Sequence, residues 1–177
     1  MEVILSVFAG IFNEEGKLLL RRRRKESREI PCPYEGDWEL PGGTIEEENI
    51  WKIKDERIFG KELAREVMEE TGLSIETPVM PILYPAVYVN KEKGKIDCAF
   101  LIPIGIIAEE PTKGENIYVD PKELKERAER PIGEQLVSGW GKRMCRMALM
   151  AFQYSPNSKY KNDAKKLLAE IYQISSQ

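Results

Sequence analysis

The stretch ELAREVMEETGL, residues 62–73, sets Glu66, Glu69 and Glu70 within about one turn of a helix and stops at Gly72. Like charges at i and i+4 repel by about a few tenths of a kcal/mol. Such a cluster is therefore either an exposed acidic face or a seat for something positively charged. Oxygen-only ligands in so small a region suit Mg²⁺ or Mn²⁺, hard cations that commonly bridge to substrate phosphates. The chain contains no histidine, which removes His-based triads, His-zinc sites and histidine general bases. An oxygen-ligand site is the kind of metal centre this sequence can build, and a solvated face explains the same residues equally well.

The elements that would position these carboxylates follow from the apolar pattern. Residues 3–13 and 17–22 are two apolar runs separated by NEEGK, a hairpin signal with Asn13 and Gly16 in the turn. Residues 26–37 carry two prolines and a glycine and read as a loop. WELPGG then reads as a short strand ending in a Pro-Gly-Gly turn. From Gly60 to Thr71 the period is helical, with Leu63, Val67, Ala64 and Met68 as the inward set and Gly72 as the terminator. Strand-like stretches follow at 79–89 and 95–108, and IYVDPKELKERAE gives a strand and a helix opened by Asp120-Pro121. Helices are expected over 139–153 and 160–175, the last with Ala164, Leu167, Leu168, Ile171 and Tyr172 in one stripe.

The 177 residues fit one α/β domain with an ample core. Twenty-seven basic against thirty acidic residues give a net charge of −3, which argues against a general nucleic-acid coat but not against small phosphorylated substrates. No run approaches the ~20 apolar residues of a membrane span. MEVILSVFAGIF lacks a charged n-region and a cleavage site, so it reads as a strand rather than a signal peptide. Cys32, Cys98 and Cys145 are odd in number and lack CxxC spacing, which suits a reducing cytoplasm and argues against zinc.

Spacing and context sharpen the reading. LPGGTIEEE followed by GKELAREVMEETGL resembles the Nudix box, G-x5-E-x7-R-E-U-x-E-E-x-G-U with U a bulky apolar residue. Its second half matches at Arg65, Glu66, Val67, Glu69, Glu70, Gly72 and Leu73. Upstream, GIFNEEGKLLLRRR and WELPGG look like the strands that lead into the box, and the resemblance covers roughly residues 4–125. It implies a single Nudix (MutT-like) domain over 1–177: an α/β/α sandwich with a mixed β-sheet and a loop-helix-loop catalytic motif. The first half departs from the pattern. Gly43 and Arg65 lie twenty-two positions apart, eight more than the pattern allows. The excess falls at about 48–59. Glu48 falls one position short of the spacing from Gly43 and Glu56 comes nearest the spacing from Arg65, so either replaces the first box glutamate or neither does. Trp51, Ile53, Ile58 and Phe59 in this insertion reach a partner subunit or a substrate base, or pad the domain. The segment 131–177 exceeds the minimal domain and is expected to cap the pocket or to support a homodimer.

The resemblance implies metal-dependent hydrolysis of a nucleoside diphosphate linked to another group X. It makes Glu66, Glu69 and Glu70 ligands for Mg²⁺ or Mn²⁺, with the Gly42 carbonyl as a further candidate. Glu66 or a glutamate from a later loop, Glu110 or Glu115, would act on the attacking water. Arg65 is implied to be structural within the catalytic motif. Alternation along the strand puts Arg21 and Arg23 on one face, where a basic residue near substrate phosphate is frequent in the family, although a solvated edge is the plainer alternative. Trp38 and Glu39 would meet a base, or Trp38 would be core. Pro85 and Tyr88 miss the marker positions of ADP-ribose and diadenosine-polyphosphate hydrolases. The expected substrate is a (d)NTP-type nucleotide. ADP-ribose or a nucleotide sugar is the alternative, as is a non-catalytic nucleotide-binding regulator.

Overall fold

The computed structural model describes residues 2–23, 34–45, 57–76, 84–90, 94–137 and 142–174. Its first strands, β1 (Glu2–Phe12) and β2 (Leu18–Arg22), form the expected antiparallel hairpin. Asn13 closes the turn twice: its N–H donates to the Lys17 carbonyl at 3.0 Å, and its Oδ1 accepts from Lys17 N–H at 2.9 Å. Gly16, at φ 81°, supplies the left-handed position.

Three short or edge elements extend this pair. β3 (Trp38–Glu39) and β7 (Asn116–Val119) pair with β2, while β4 (Gly42–Thr44) pairs with β1 across from Ser6 to Phe8. β6 (Lys95–Ile106) runs parallel to β1 along its whole length, and β5 (Tyr84–Asn90) is antiparallel to β6. The result is a mixed seven-stranded sheet of order β3-β2-β1-β6-β5, with β4 and β7 branching from β1 and β2.

Strand alternation splits the apolar residues between two cores. Val7, Ala9, Ile11 and Leu19 face α1 (Arg57–Thr71), which contributes Leu63 and Val67. Phe8, Phe12, Leu18 and Leu20 face the opposite way, against α2 (Pro121–Ala128), α3 (Arg143–Ala151) and α4 (Ser158–Ile174). This is the α/β/α sandwich that the sequence suggested. Asp120 caps α2 as expected, accepting from Lys122 and Glu123 N–H at 2.9 Å while the Glu123 carboxylate accepts from Asp120 N–H.

Several expectations are corrected. The Pro-Gly-Gly segment is a strand rather than a plain turn, because Gly42–Thr44 hydrogen-bond to β1. α1 starts at Arg57, three residues before Gly60, since Ile58 and Phe59 are buried in the α1-side core, Phe59 edge-on to Phe100 at 5.2 Å. Those two residues therefore pad the domain. Trp51 and Ile53 lie outside the described residues. Met68 and Tyr172 point outward rather than inward; Tyr172 lies under the Arg146 guanidinium, 5.5 Å from the ring centroid. Beyond these corrections, the segment after residue 131 contributes to the core: Met147, Phe152, Leu168 and Ile171 are buried there. Among the described residues no helix is long and apolar enough to cross a membrane.

Candidate active site

α1 carries the carboxylates, and β4 brings the glycine pair to them. Gly42 must be glycine: at φ 144° a Cβ would sit 2.1 Å from the Val7 carbonyl oxygen. Gly43 is needed for a different reason. A Cβ there would fall 2.7–2.9 Å from the Glu66 carboxylate, so the missing side chain is the space that this carboxylate fills. Sequence spacing between the two halves of the motif is stretched by the insertion, yet β4 pairing with β1 restores their contact.

Each carboxylate has a defined partner. Arg65 gathers the carboxylates of its own helix, donating to Glu66 at 2.6 Å, Glu69 at 3.0 Å and Glu62 at 3.1 Å. Glu70 accepts from Gly42 N–H at 2.9 Å and pairs with Arg21. Burial pushes the Glu70 carboxyl up to about 8 against the opposing pull of Arg21 and Gly42 N–H, with Glu39 and Glu66 adding repulsion. Burial also raises Glu66, countered by Arg65. Among the described residues no three acidic side chains are arranged to hold an ion; Arg65 binds Glu62, Glu66 and Glu69, while Arg21 binds Glu70.

The donor set nevertheless suits a hard divalent cation. It is all oxygen and lies against backbone at Gly42–Gly43, and it includes two carboxylates, Glu66 and Glu70, that burial raises against the pull of Arg65 and Arg21. Glu66, Glu69 and Glu70 are the oxygen donors that α1 offers there.

Register places the remaining candidates. Arg21 stands opposite Glu39 and Arg22 opposite Trp38, so the first pair faces α1 and the second faces away. Arg21 and Arg23 both bind Glu39, which is 2% exposed, with the Arg23 contact at 3.0 Å. Neither Arg21 nor Glu39 is thus open for direct substrate contact in this arrangement. Trp38 is buried in the second core with the Arg127 guanidinium 4.8 Å from its ring centroid, which corrects the base-stacking expectation and leaves it as core. Val137 N–H and the Gln135 carbonyl bracket its backbone at 2.7 and 2.8 Å.

The loop after β6 is docked on the end of α1. Thr112 and Lys113 N–H donate to the Thr71 carbonyl at 2.8 and 3.0 Å, and Lys113 Nζ donates to the Met68 carbonyl at 3.2 Å. These bonds satisfy carbonyls that a helix terminus leaves open and put a cation at its negative end. Nothing in the sequence pattern announced this cap. Glu110 lies on that loop near Tyr118, whose hydroxyl is pushed up to about 12 by burial and by that carboxylate. Tyr118 packs against the α1-side core. Glu115 is corrected: both its oxygens accept from Arg22 at 3.1 Å, and Arg22 also donates to Gly36 and Gly133 carbonyls, away from α1. Glu48 and Glu56 lie outside the described residues.

Comparison with known proteins gives a consistent result. The NUDIX domain family model matches residues 4–136. A MutT-like protein of Streptomyces ambofaciens is 32% identical over 127 residues, covering 70% of this chain and 68% of that one. Among solved structures, a MutT protein from Methanosarcina mazei Go1 superposes with a TM-score of 0.55 at 21% identity, covering 96% of this chain and 95% of the other. A MutT NUDIX hydrolase from Burkholderia pseudomallei gives 0.51 at 18% identity over 87% and 98%. These two likenesses speak to the fold.

Proposed function

The chain belongs to the NUDIX family of hydrolases, and on that premise we propose that it hydrolyses a pyrophosphate bond in a (d)NTP-type nucleotide, with Mg²⁺ or Mn²⁺. The observation that carries this reading is that the helix bearing Glu66, Glu69 and Glu70 sets Glu66 and Glu70 against the Gly42–Gly43 backbone. Those three glutamates would hold the cation, with the Gly42 carbonyl as a further donor. Such an ion, when bound, would supply charge neutralisation to the pyrophosphate and favour ionisation of water.

The chain's own groups do the rest. Arg65 is a positioning residue that fixes the rotamers of Glu66 and Glu69. Gly42 N–H orients Glu70 through one oxygen, leaving its direction set by backbone rather than by a mobile side chain. Glu66, raised by burial, is suited to take the proton of the attacking water, because a base works best with a pKa nearer the operating pH. Glu110 is the alternative base from the docked loop. In-line attack at phosphorus needs mainly positioning and charge neutralisation, which this set can offer.

The (d)NTP reading rests on WELPGG, which is close to the form in (d)NTP pyrophosphatases; ADP-ribose or a nucleotide sugar is the second substrate class. The test is a hydrolysis screen with Mg²⁺ and Mn²⁺ over NTPs, oxidised and ordinary dNTPs, dinucleotides, ADP-ribose and nucleotide sugars. A (d)NTP is expected to turn over, chelation by EDTA to abolish turnover, and Glu69→Gln to reduce it by about a hundredfold or more. Unchanged turnover in Glu69→Gln would remove the metal role, and nucleotide binding without any turnover would make the protein a regulator.

A further inference from the structure

We propose that Arg21 is a built-in counter-ion of Glu70 that a divalent cation must displace, and that Glu39 retains the displaced guanidinium beside the site. The inference rests on reading Glu70 as a metal ligand and adds how the site is held when no metal is bound.

One terminal nitrogen of Arg21 touches both Glu39 Oε1 and Glu70 Oε1. The other oxygen of Glu70 already accepts from Gly42 N–H at 2.9 Å. Both oxygens of this carboxylate are therefore engaged, one by a fixed backbone donor and one by a mobile cation. A metal ion arriving on Oε1 meets the guanidinium at contact distance, and two positive charges there repel strongly in a poorly solvated site. Arginine cannot give up its proton to relieve this, so its charge has to move.

The place for it to go is already built. Glu39 is 2% exposed at its side chain against 13% for Glu70, so an ion from solvent reaches Glu70 first. Glu39 sits directly opposite Arg21 in the β2–β3 ladder, so backbone register keeps the two together whatever happens at Glu70. Among the described residues the arginine bonded to Glu66 and Glu69 is Arg65 on the same helix, and Arg21 reaches Glu66 only through its field. The exchange is thus local to one carboxylate.

Mn²⁺ binding to the full chain without nucleotide, read by electron paramagnetic resonance of the free ion, tests this independently of turnover. Arg21→Gln, which keeps a hydrogen bond to Glu39 but removes the charge, should bind Mn²⁺ about tenfold more tightly. Arg21→Met serves the same purpose should the glutamine variant fail to fold. Glu39→Gln should weaken Mn²⁺ binding, since Arg21 then has Glu70 as its main partner, and this effect should largely vanish in the double variant with Arg21→Gln. Glu70→Gln is the control. Weaker or unchanged binding in both folded Arg21 variants, with Glu70→Gln impaired, overturns the exchange and leaves the ligand reading standing. Undiminished binding in Glu70→Gln overturns the ligand reading itself.

Discussion

Two adjacent glycines illustrate how differently single residues serve one site. A Cβ at Gly42 would collide with the backbone of β1, which cannot move without breaking the ladder, and φ 144° is hostile to any side chain. Gly42→Ala should therefore destabilise the protein by more than about 2 kcal/mol, seen as a large fall in Tm. At Gly43 the φ is outside the left-handed region, and the obstacle is the far end of the Glu66 side chain. Gly43→Ala should leave Tm nearly unchanged while lowering turnover about tenfold or more by displacing that carboxylate. Measuring both quantities on both variants separates the roles; a Gly43→Ala enzyme with full turnover would deny Glu66 its assigned position. Glu70 offers a third test. Its carboxyl is raised in the fold to about 8 from the ordinary 4.5. A raised acid binds its proton more tightly in the native state, so its contribution to stability is complete below about 4.5 and is lost as pH rises through about 8. The Tm of metal-free protein should fall across that window, and Glu70→Gln should flatten the decline.

At the scale of elements, the catalytic geometry depends on a helix held at both ends. The start of α1 is anchored by Ile58 and Phe59 in the core. Its end is held by Gly72, at φ 75°, and by the Thr112–Lys113 segment on its last carbonyls. Substituting Lys113→Met removes the side-chain contact to Met68 but spares the two backbone bonds. The expected result is a small loss of stability, about 0.3–1 kcal/mol, measurable by urea unfolding and diminished at high salt. The cap of α2 should matter more: Asp120→Ala removes a buttressed capping box and should cost about 1 kcal/mol in the same assay. That helix lies on the second core, so metal affinity should stay as it was.

For the molecule as a whole, the C-terminal helices complete the sandwich. α4 buries Ala164, Leu168 and Ile171, and its entry is latched to the first hairpin. Ser155 Oγ donates to the Gly16 carbonyl at 2.8 Å, and Asn157 Nδ2 to the Glu15 carbonyl at 3.1 Å. Ending the chain after residue 157 would uncover one apolar face, so the truncated protein should fail to give a cooperative thermal transition. Full folding of that fragment would show that α4 is an appendage. The sequence by itself determined the longer elements, though not β4 or the start of α1, and it determined the carboxylate helix. Local periodicity sets α1, α2 and the β1–β2 hairpin, and the fixed spacing in REVMEETGL marks the motif, because helix geometry is encoded over one or two turns. What only tertiary structure decided were partners far apart in the chain. The facing of Trp38 toward the second core and of Glu39 toward α1 came from a strand register. The pairing of Arg22 with Glu115 links residues ninety-three positions apart. The seating of Gly43 against Glu66 spans an insertion that breaks the motif's spacing in sequence but not in space, since β4 is fixed by hydrogen bonds to β1 and not by the length of the chain that follows.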